Sequence, residues 1–164
     1  MIYTAHYTSP LGGITLTSDG IALTGLDFDG QTYFLENITT NHQQKNLPVF
    51  EETCHYLDLY FDGKEPDFSP ALNPTGTAFQ MSVWTILRTI PYGETTSSGA
   101  IAKRLEKSTG KRMSAQAVGG AVGRNPISIL IPCHRVIGAN GSLTGYAGGL
   151  DKKEYLLRTE GFYS

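Results

Sequence analysis

Three short runs open the chain, IYTAHYTS (2–9), GITLTS (13–18) and IALTGLDF (21–28), each rich in β-branched or aromatic residues and separated by the turn formers SPLGG and SDG. Runs of this length and composition predict a small antiparallel meander. The period then changes. In PVFEETCHYLDLYFDG (48–63), Phe50, Cys54, Leu57 and Phe61 recur near helical spacing and Gly63 stands as a stop. Together these elements predict a compact α/β unit of one antiparallel sheet and one helix.

KEPDFSPALNPTG (64–76) holds three prolines and little periodicity, so it reads as a linker. Thr77 and Gln80 have capping-box spacing, and Phe79, Val83, Trp84 and Leu87 form an apolar helical stripe that ends before Pro91, Tyr92 and Gly93. SSGAIAKRLEKS then predicts an amphipathic helix with Ile101, Ala102 and Leu105 inward, and the polar turn STGKR leads to a second short helix in MSAQAVGGAVGRN. Two short helices joined by a tight turn predict a helix-turn-helix. LDKKEYLLRTEG (150–161) reads as a last helix with Asp151 as N-cap, Glu154 in the capping-box position and Gly161 as stop. The expected fold class is α+β, with an α/β domain over 1–76 and a mostly helical, helix-turn-helix or winged-helix-like domain over 77–164.

Composition agrees with a folded chain, since 164 residues at 40% hydrophobic content suffice for a core. No apolar run reaches the roughly 20 residues of a membrane span, and IYTAHYTS is unlike a signal peptide, so a cytoplasmic protein is expected. Charge divides the chain sharply. Residues 1–81 carry two bases against ten acids, a balance of −8, whereas residues 82–164 carry eleven bases against five acids, a balance of +6. A basic second half attracts a phosphate backbone, although uneven charge also serves solubility. Cys54 and Cys133 have no disulfide or zinc-ligand spacing, and both read as free thiols.

Three features stand out against this background. Gly119 and Gly120 inside a helix each cost about 1 kcal/mol relative to alanine, which points either to close packing within the protein or to close approach to a nucleic-acid groove. Cys133 ends an apolar run beside His134 and Arg135, an arrangement compatible with a buried structural cysteine or with a partly exposed nucleophile that gives its proton to histidine. Glu160 falls in the last turn of a helix, where the dipole disfavours an anion unless cations such as His134 and Arg135 offset it. A Cys133, His134, Glu160 relay and a solvated surface glutamate are both open.

The run QAVGGAVGRNPISILIPCHRVIGANGSLTGYAGGLDKKEYLLRTEG, together with FQMSVWTILRTIPYGETTS, resembles the active-site region of the O6-alkylguanine-DNA alkyltransferases. PCHRV with RNP before it and GY-x-GG-L after it is a specific combination; the N-terminal unit resembles the family's small domain only in size, element order and YFDG. The resemblance implies stoichiometric, irreversible transfer of an alkyl group from O6-alkylguanine in duplex DNA to Cys133, with the base flipped out of the stack. It implies His134 as proton acceptor through a water, Glu160 as its orienting partner and Asn125 as holder of the turn before the active-site loop. Carbonyls of Cys133 and Val136, the Tyr146 ring and the Ala147 amide would bind the base, with Ser98, Val122 and Ser128 bordering the pocket. Ser114, Ala115, Gln116, Ala117, Gly119, Gly120, Arg124 and Arg135 would face DNA. No cofactor, metal, membrane or obligate protein partner is implied, and a monomer is expected.

Two positions depart from the family pattern. Its usual intercalating arginine falls on Gln116 and its usual tyrosine on Ser98, with Tyr92 as a possible substitute. Weaker flipping or slower transfer follows. A sensor that binds alkylated bases without removing them, and an unrelated cysteine hydrolase or redox protein, are the competing readings.

Overall fold

The computed structural model describes residues 2–30, 42–138, 141, 143, 146 and 148–162. They form two compact units, one comprising Met1–Thr75 with Pro126–Ser128, the other Gly76–Asn125 with Ile129–Ser164.

The first unit is a four-stranded sheet and a helix. The strands are β1 (Ile2–Ser9), β2 (Gly12–Ser18), β3 (Leu23–Phe28) and β4 (His42–Gln44), ordered β3-β2-β1-β4. The β1–β2 and β2–β3 pairs are antiparallel, with Tyr7 opposite Ile14 and Leu16 opposite Leu26. The meander expected from the pattern is therefore present. β4 was not expected: it pairs parallel to β1 through His42, Gln43 and Gln44, a polar segment with no alternation to announce it. At the other edge, the Leu26 N–H donates to the Pro126 carbonyl and the Ser128 N–H to the Leu26 carbonyl, which ties Pro126–Ser128 to β3. Helix α1 (Pro48–Phe61) buries Val49, Phe50, Thr53, Leu57 and Tyr60, and the Tyr7 hydroxyl donates to Asp58 at 2.6 Å. Cys54 lies beside that buried stripe and is only half-buried.

The second unit is helical. Helix α2 (Ala78–Leu87) begins in a complete capping box between Thr77 and Gln80. Trp84 is buried, and its indole N–H donates to the Ala121 carbonyl at 2.8 Å. A Cβ on Gly76 would fall 2.5 Å from the Trp84 ring, so the chain enters this helix at a spacing only glycine allows. Helix α3 (Ser98–Thr109) is capped by Ser97, turns Ile101, Ala102 and Leu105 inward, and ends at Gly110 with φ 72°. Helix α4 (Ala115–Gly123) starts at Ser114, whose hydroxyl accepts from the N–H groups of Gln116 and Ala117. A 3-10 turn (Cys133–Arg135) and helix α5 (Leu150–Thr159) complete the unit. α5 begins two residues earlier than its pattern indicated. Gly149, at φ 102°, is the N-cap, and Asp151 instead lies in the first turn, where its charge favours the helix dipole. No helix among the described residues is long and apolar enough to cross a membrane.

Candidate active site

The site is built on the 3-10 turn and the C-terminal end of α5. Pro132 precedes the turn and breaks the apolar run, so Cys133, His134 and Arg135 follow one another in a tight bend rather than along a strand. Ile129, at the start of that run, holds φ 71° while buried, a conformation that costs a β-branched residue about 1–2 kcal/mol and that its packing must impose. Asn125 donates through Nδ2 to the Ile131 carbonyl at 2.7 Å, bracing the loop from the end of α4.

Glu160 terminates α5 and collects four donors. His134 Nε2 lies 2.5 Å from Oε2; Arg135 gives Nε to Oε1 at 2.8 Å and a terminal nitrogen to Oε2 at 3.2 Å; and the Gly93 N–H donates to Oε1 at 3.0 Å. The anion at the wrong end of a helix dipole is thus compensated by two cationic or polar side chains and a backbone amide. Burial alone would raise the Glu160 carboxyl, but His134 and Arg135 outweigh it and hold it at about 2. Burial pulls the His134 imidazole below its ordinary value, and the Glu160 hydrogen bond and charge recover only part of that fall. At neutral pH the pair is therefore a neutral imidazole on a carboxylate. Because an ionised carboxylate only accepts, Nε2 carries the hydrogen, and Nδ1 holds the lone pair that can take a proton.

Cys133 is 6% exposed, so the partial exposure anticipated for a reactive thiol is absent. Burial raises its pKa above the ordinary range; side-chain hydrogen bonds from Asn125 and Tyr146 and the charge of Lys153 pull it partway back. A buried thiol in this state needs a base within the site to become a thiolate.

Other anticipated residues separate into three groups. Ser98, Ala115, Gly119, Val122 and Val136 line a cavity of about 540 Å³ with Ser97, Gly99, Gly123, Ile137 and Gly138. Cys133 does not itself line it; Val136 is the residue shared between the cavity and the segment that follows the thiol. Ala115, Gln116, Ala117, Gly120 and Arg124 lie exposed on or just after α4, opposite the buried Val118, Ala121 and Val122. A Cβ built on Gly120 meets nothing within 4 Å, and one on Gly119 meets only Ser98 Oγ at 3.5 Å, so close packing within the protein does not explain these glycines. Ala147 lies outside the described residues.

Three expectations need correction. Arg135 does not face DNA: it is buried, bonded to Glu160, and donates also to the Ile90 carbonyl at 2.6 Å, so its guanidinium is spent on positioning. Ser128 does not border the cavity, because its backbone pairs with β3 and its side chain is buried in the first unit. Tyr92 does not stand in for the missing tyrosine; its hydroxyl donates to the Thr159 carbonyl at 3.2 Å and its ring lies 5.8 Å from the Arg135 guanidinium. Sequence reasoning missed Gly93 and Lys153. The Lys153 ammonium donates to the Val136 carbonyl although the residue is 1% exposed, and no spacing rule marks a lysine on an amphipathic helix as buried. Among the described residues there is no group of three or more His, Cys, Asp or Glu that could hold a metal ion.

Comparison with known proteins places this geometry. Residues 78–162 match the family described as 6-O-methylguanine DNA methyltransferase, DNA binding domain, and residues 2–74 its ribonuclease-like domain. Methylated-DNA–protein-cysteine methyltransferases from Methanosarcina acetivorans and Haemophilus influenzae are 46% and 43% identical over 160 residues, covering 98% and 97% of this chain and 99% and 86% of those proteins. The crystal structure of Mycobacterium tuberculosis OGT in complex with DNA matches with a TM-score of 0.83 at 43% identity, covering 97% of this chain and 91% of that one. An O6-methylguanine DNA methyltransferase from Methanococcus jannaschii matches with a TM-score of 0.61 at 30% identity, covering 95% and 92%. Matched over both domains and almost its whole length, the chain belongs to the 6-O-methylguanine DNA methyltransferase family.

Proposed function

We propose that this protein repairs duplex DNA by moving the alkyl group of an O6-alkylguanine onto Cys133, once per molecule, as a cytoplasmic monomer without a cofactor. The observation that carries the reading is the buried thiol of Cys133 next in sequence to His134, whose imidazole is fixed at 2.5 Å on Glu160. The relatives' names supply the chemistry: they are methylated-DNA–protein-cysteine methyltransferases. We assign DNA binding and transfer to residues 77–164 and a supporting role to 1–76.

The flipped guanine enters beside Val136, whose carbonyl, with that of Cys133, accepts from the exocyclic amine. His134 Nδ1 takes the thiol proton through a water. The sulfur attacks the alkyl carbon; the S–C bond forms as the C–O6 bond breaks, its electron pair passes to guanine, and guanine takes up one proton. The proton lost by the thiol is thereby balanced, and the protein is left with a thioether that nothing regenerates. An ether carbon on neutral guanine is a poor electrophile, so alignment and a formed thiolate supply most of the acceleration. The exposed small face of α4 approaches the minor groove, and basic residues of the second half offset the few kcal/mol needed to extrude the base. Ser98 and Gln116 favour a second reading, a sensor that binds the lesion without removing it.

Intact-mass spectrometry and peptide mapping after incubation with a duplex holding one O6-methylguanine separates the two. The expected result is a gain of one methyl group, on Cys133 alone, stopping at one equivalent. Bound DNA with the lesion intact and no mass gain would establish the sensor instead.

A further inference from the structure

We propose that four exposed cations on α3 and the turn after it, Lys103, Lys107, Lys111 and Arg112, form a phosphate-binding ridge: while α4 approaches the minor groove, the ridge holds the sugar-phosphate strand beside it and supplies the charge that α4 lacks. The inference rests on the DNA-repair reading above and names the surface that grips the duplex.

The charge of the second half is concentrated in one strip. Residues 103–112 carry five bases, Lys103, Arg104, Lys107, Lys111 and Arg112, against one acid, Glu106, a balance of +4 within the +6 of residues 82–164. Residues 113–125, which contain α4, carry one charged side chain, Arg124, and Gln116 is neutral. A face that enters a groove between two rows of phosphates thus brings almost no countercharge of its own. Yet neutralised phosphates supply nearly all of the sequence-independent affinity for a duplex.

Geometry points to the same strip. Lys103 and Lys107 are one helical turn apart and lie opposite the buried Ile101, Ala102 and Leu105. Like charges at that spacing repel, a cost that an anionic partner removes. Beyond Gly110, which ends the helix at φ 72°, Lys111 and Arg112 are exposed three and two positions before Ser114, the N-cap of α4. Arg112 precedes Ala115 by three residues, so its Cα lies within about 11 Å of that position on the exposed face of α4. The Glu106 carboxylate accepts from the Met113 N–H at 2.8 Å, which fixes the turn against α3 and occupies the acid of the strip. Among the described residues, the four side chains have no hydrogen-bond or ion-pair partner. Arg104, by contrast, donates to the Thr89 hydroxyl at 2.9 Å, and Arg158 is paired with Glu154. In helix-turn-helix docking the first helix crosses the backbone while the second reads the groove, and here the first helix and the turn carry the cations.

The test uses the full chain and an undamaged duplex, with affinity measured as a function of salt. Two double variants, Lys103→Gln with Lys107→Gln and Lys111→Gln with Arg112→Gln, are compared with Lys45→Gln plus Lys64→Gln, which removes the same charge from the acidic unit. Glutamine is about as good a helix former as lysine or arginine, so the fold should be retained. Each phosphate contact contributes about 0.9 to the slope of log affinity against log salt. Each ridge pair should therefore flatten the slope by about 1.8 and lower affinity at 0.1 M salt by about tenfold or more, while the control pair leaves the slope unchanged. Transfer from free O6-methylguanine to Cys133 should match the wild-type rate in every variant, because that reaction uses no backbone contact. An unchanged slope in either ridge pair, or an equal loss in the control pair, overturns the inference. If the wild-type protein transfers no methyl group from a methylated duplex while the ridge variants still flatten the slope, the alkyl-transfer reading fails and the ridge stands.

Discussion

Cys54 and Cys133 are both free thiols raised by burial, and they differ in what opposes that burial. Around Cys54, on the half-buried flank of α1, the Asp58 carboxylate adds to the upward push, so every influence favours the inert thiol. Around Cys133, Asn125, Lys153 and Tyr146 pull the other way, and His134 on Glu160 is the next residue. On the proposed reading, the more deeply buried cysteine is the nucleophile. Exposure is a poor guide to reactivity when the site itself supplies the base and the countercharge.

The largest expected effect breaks this comparison outright. Cys133→Ser should abolish the methyl mass gain, because a hydroxyl is far too weak an acid for the same base, whereas Cys54→Ser should leave rate and stoichiometry unchanged. Intact-mass spectrometry after incubation with the methylated duplex reads both. A gain that survives in Cys133→Ser would move the nucleophile elsewhere and overturn the contrast.

Glu160→Gln tests the relay rather than the sulfur. It leaves Arg135 buried with a neutral partner and removes what raises the His134 imidazole, so transfer should fall by about a hundredfold, the lower range for losing acid–base assistance. Stability gives an independent reading with a definite sign. The folded Glu160 carboxyl sits at about 2, below its ordinary value, so the unfolded chain binds the proton first as pH falls. Its contribution is present above about pH 4.5 and is lost progressively down to about pH 2. Denaturant midpoints should therefore drop across that window in the wild-type protein and less steeply in Glu160→Gln. Parallel slopes in the two proteins would show that Glu160 is not held by its neighbours.

How much of this could be seen in the sequence depended on whether the determinant was local. The capping box at Thr77 and Gln80, the inward face of α3 and the turn that ends at Gly110 are set within a few residues and were legible. The adjacency of Cys133 and His134 was legible, and the misplaced charge of Glu160 in a last helical turn pointed to a cationic partner. Arg135 was misread because a charged residue in a basic half looks solvent-facing until a buried carboxylate 25 positions away claims it. Lys153 and the Gly93 amide escaped for the same reason, since their partners come from distant segments. The departure at β4 is different in kind: three polar residues join the sheet by backbone pairing alone, which no side-chain pattern records.

A smaller effect is expected at Gln116 and Ser98, the two positions where the sequence departs from the pattern its family resemblance implies. Gln116 is exposed near the start of α4, and Ser98 lines the cavity with a hydroxyl too short to span it. The double change Gln116→Arg and Ser98→Tyr should speed transfer from duplex DNA by about tenfold, corresponding to recovery of roughly 1.4 kcal/mol of the flipping cost. The arginine should also steepen the salt dependence of binding. An unchanged single-turnover rate would mean that neither position limits flipping.

The smallest effect separates folding from function on one residue. Gly120 lies on the exposed face of α4 with ordinary helical φ, and a Cβ there meets nothing within 4 Å. Gly120→Ala should therefore stabilise the protein by about 0.5–1 kcal/mol, since alanine is the better helix former and constrains the unfolded chain. If the face serves close approach to a DNA groove, the same methyl group stands between helix and sugar-phosphate wall, and affinity for duplex DNA should fall severalfold while the reaction of free O6-methylguanine with Cys133 stays constant. Thermal unfolding and a binding titration on one preparation decide it. Higher stability with undiminished DNA affinity would leave the two glycines without a role at the interface, and the groove-facing assignment of α4 would fall with them.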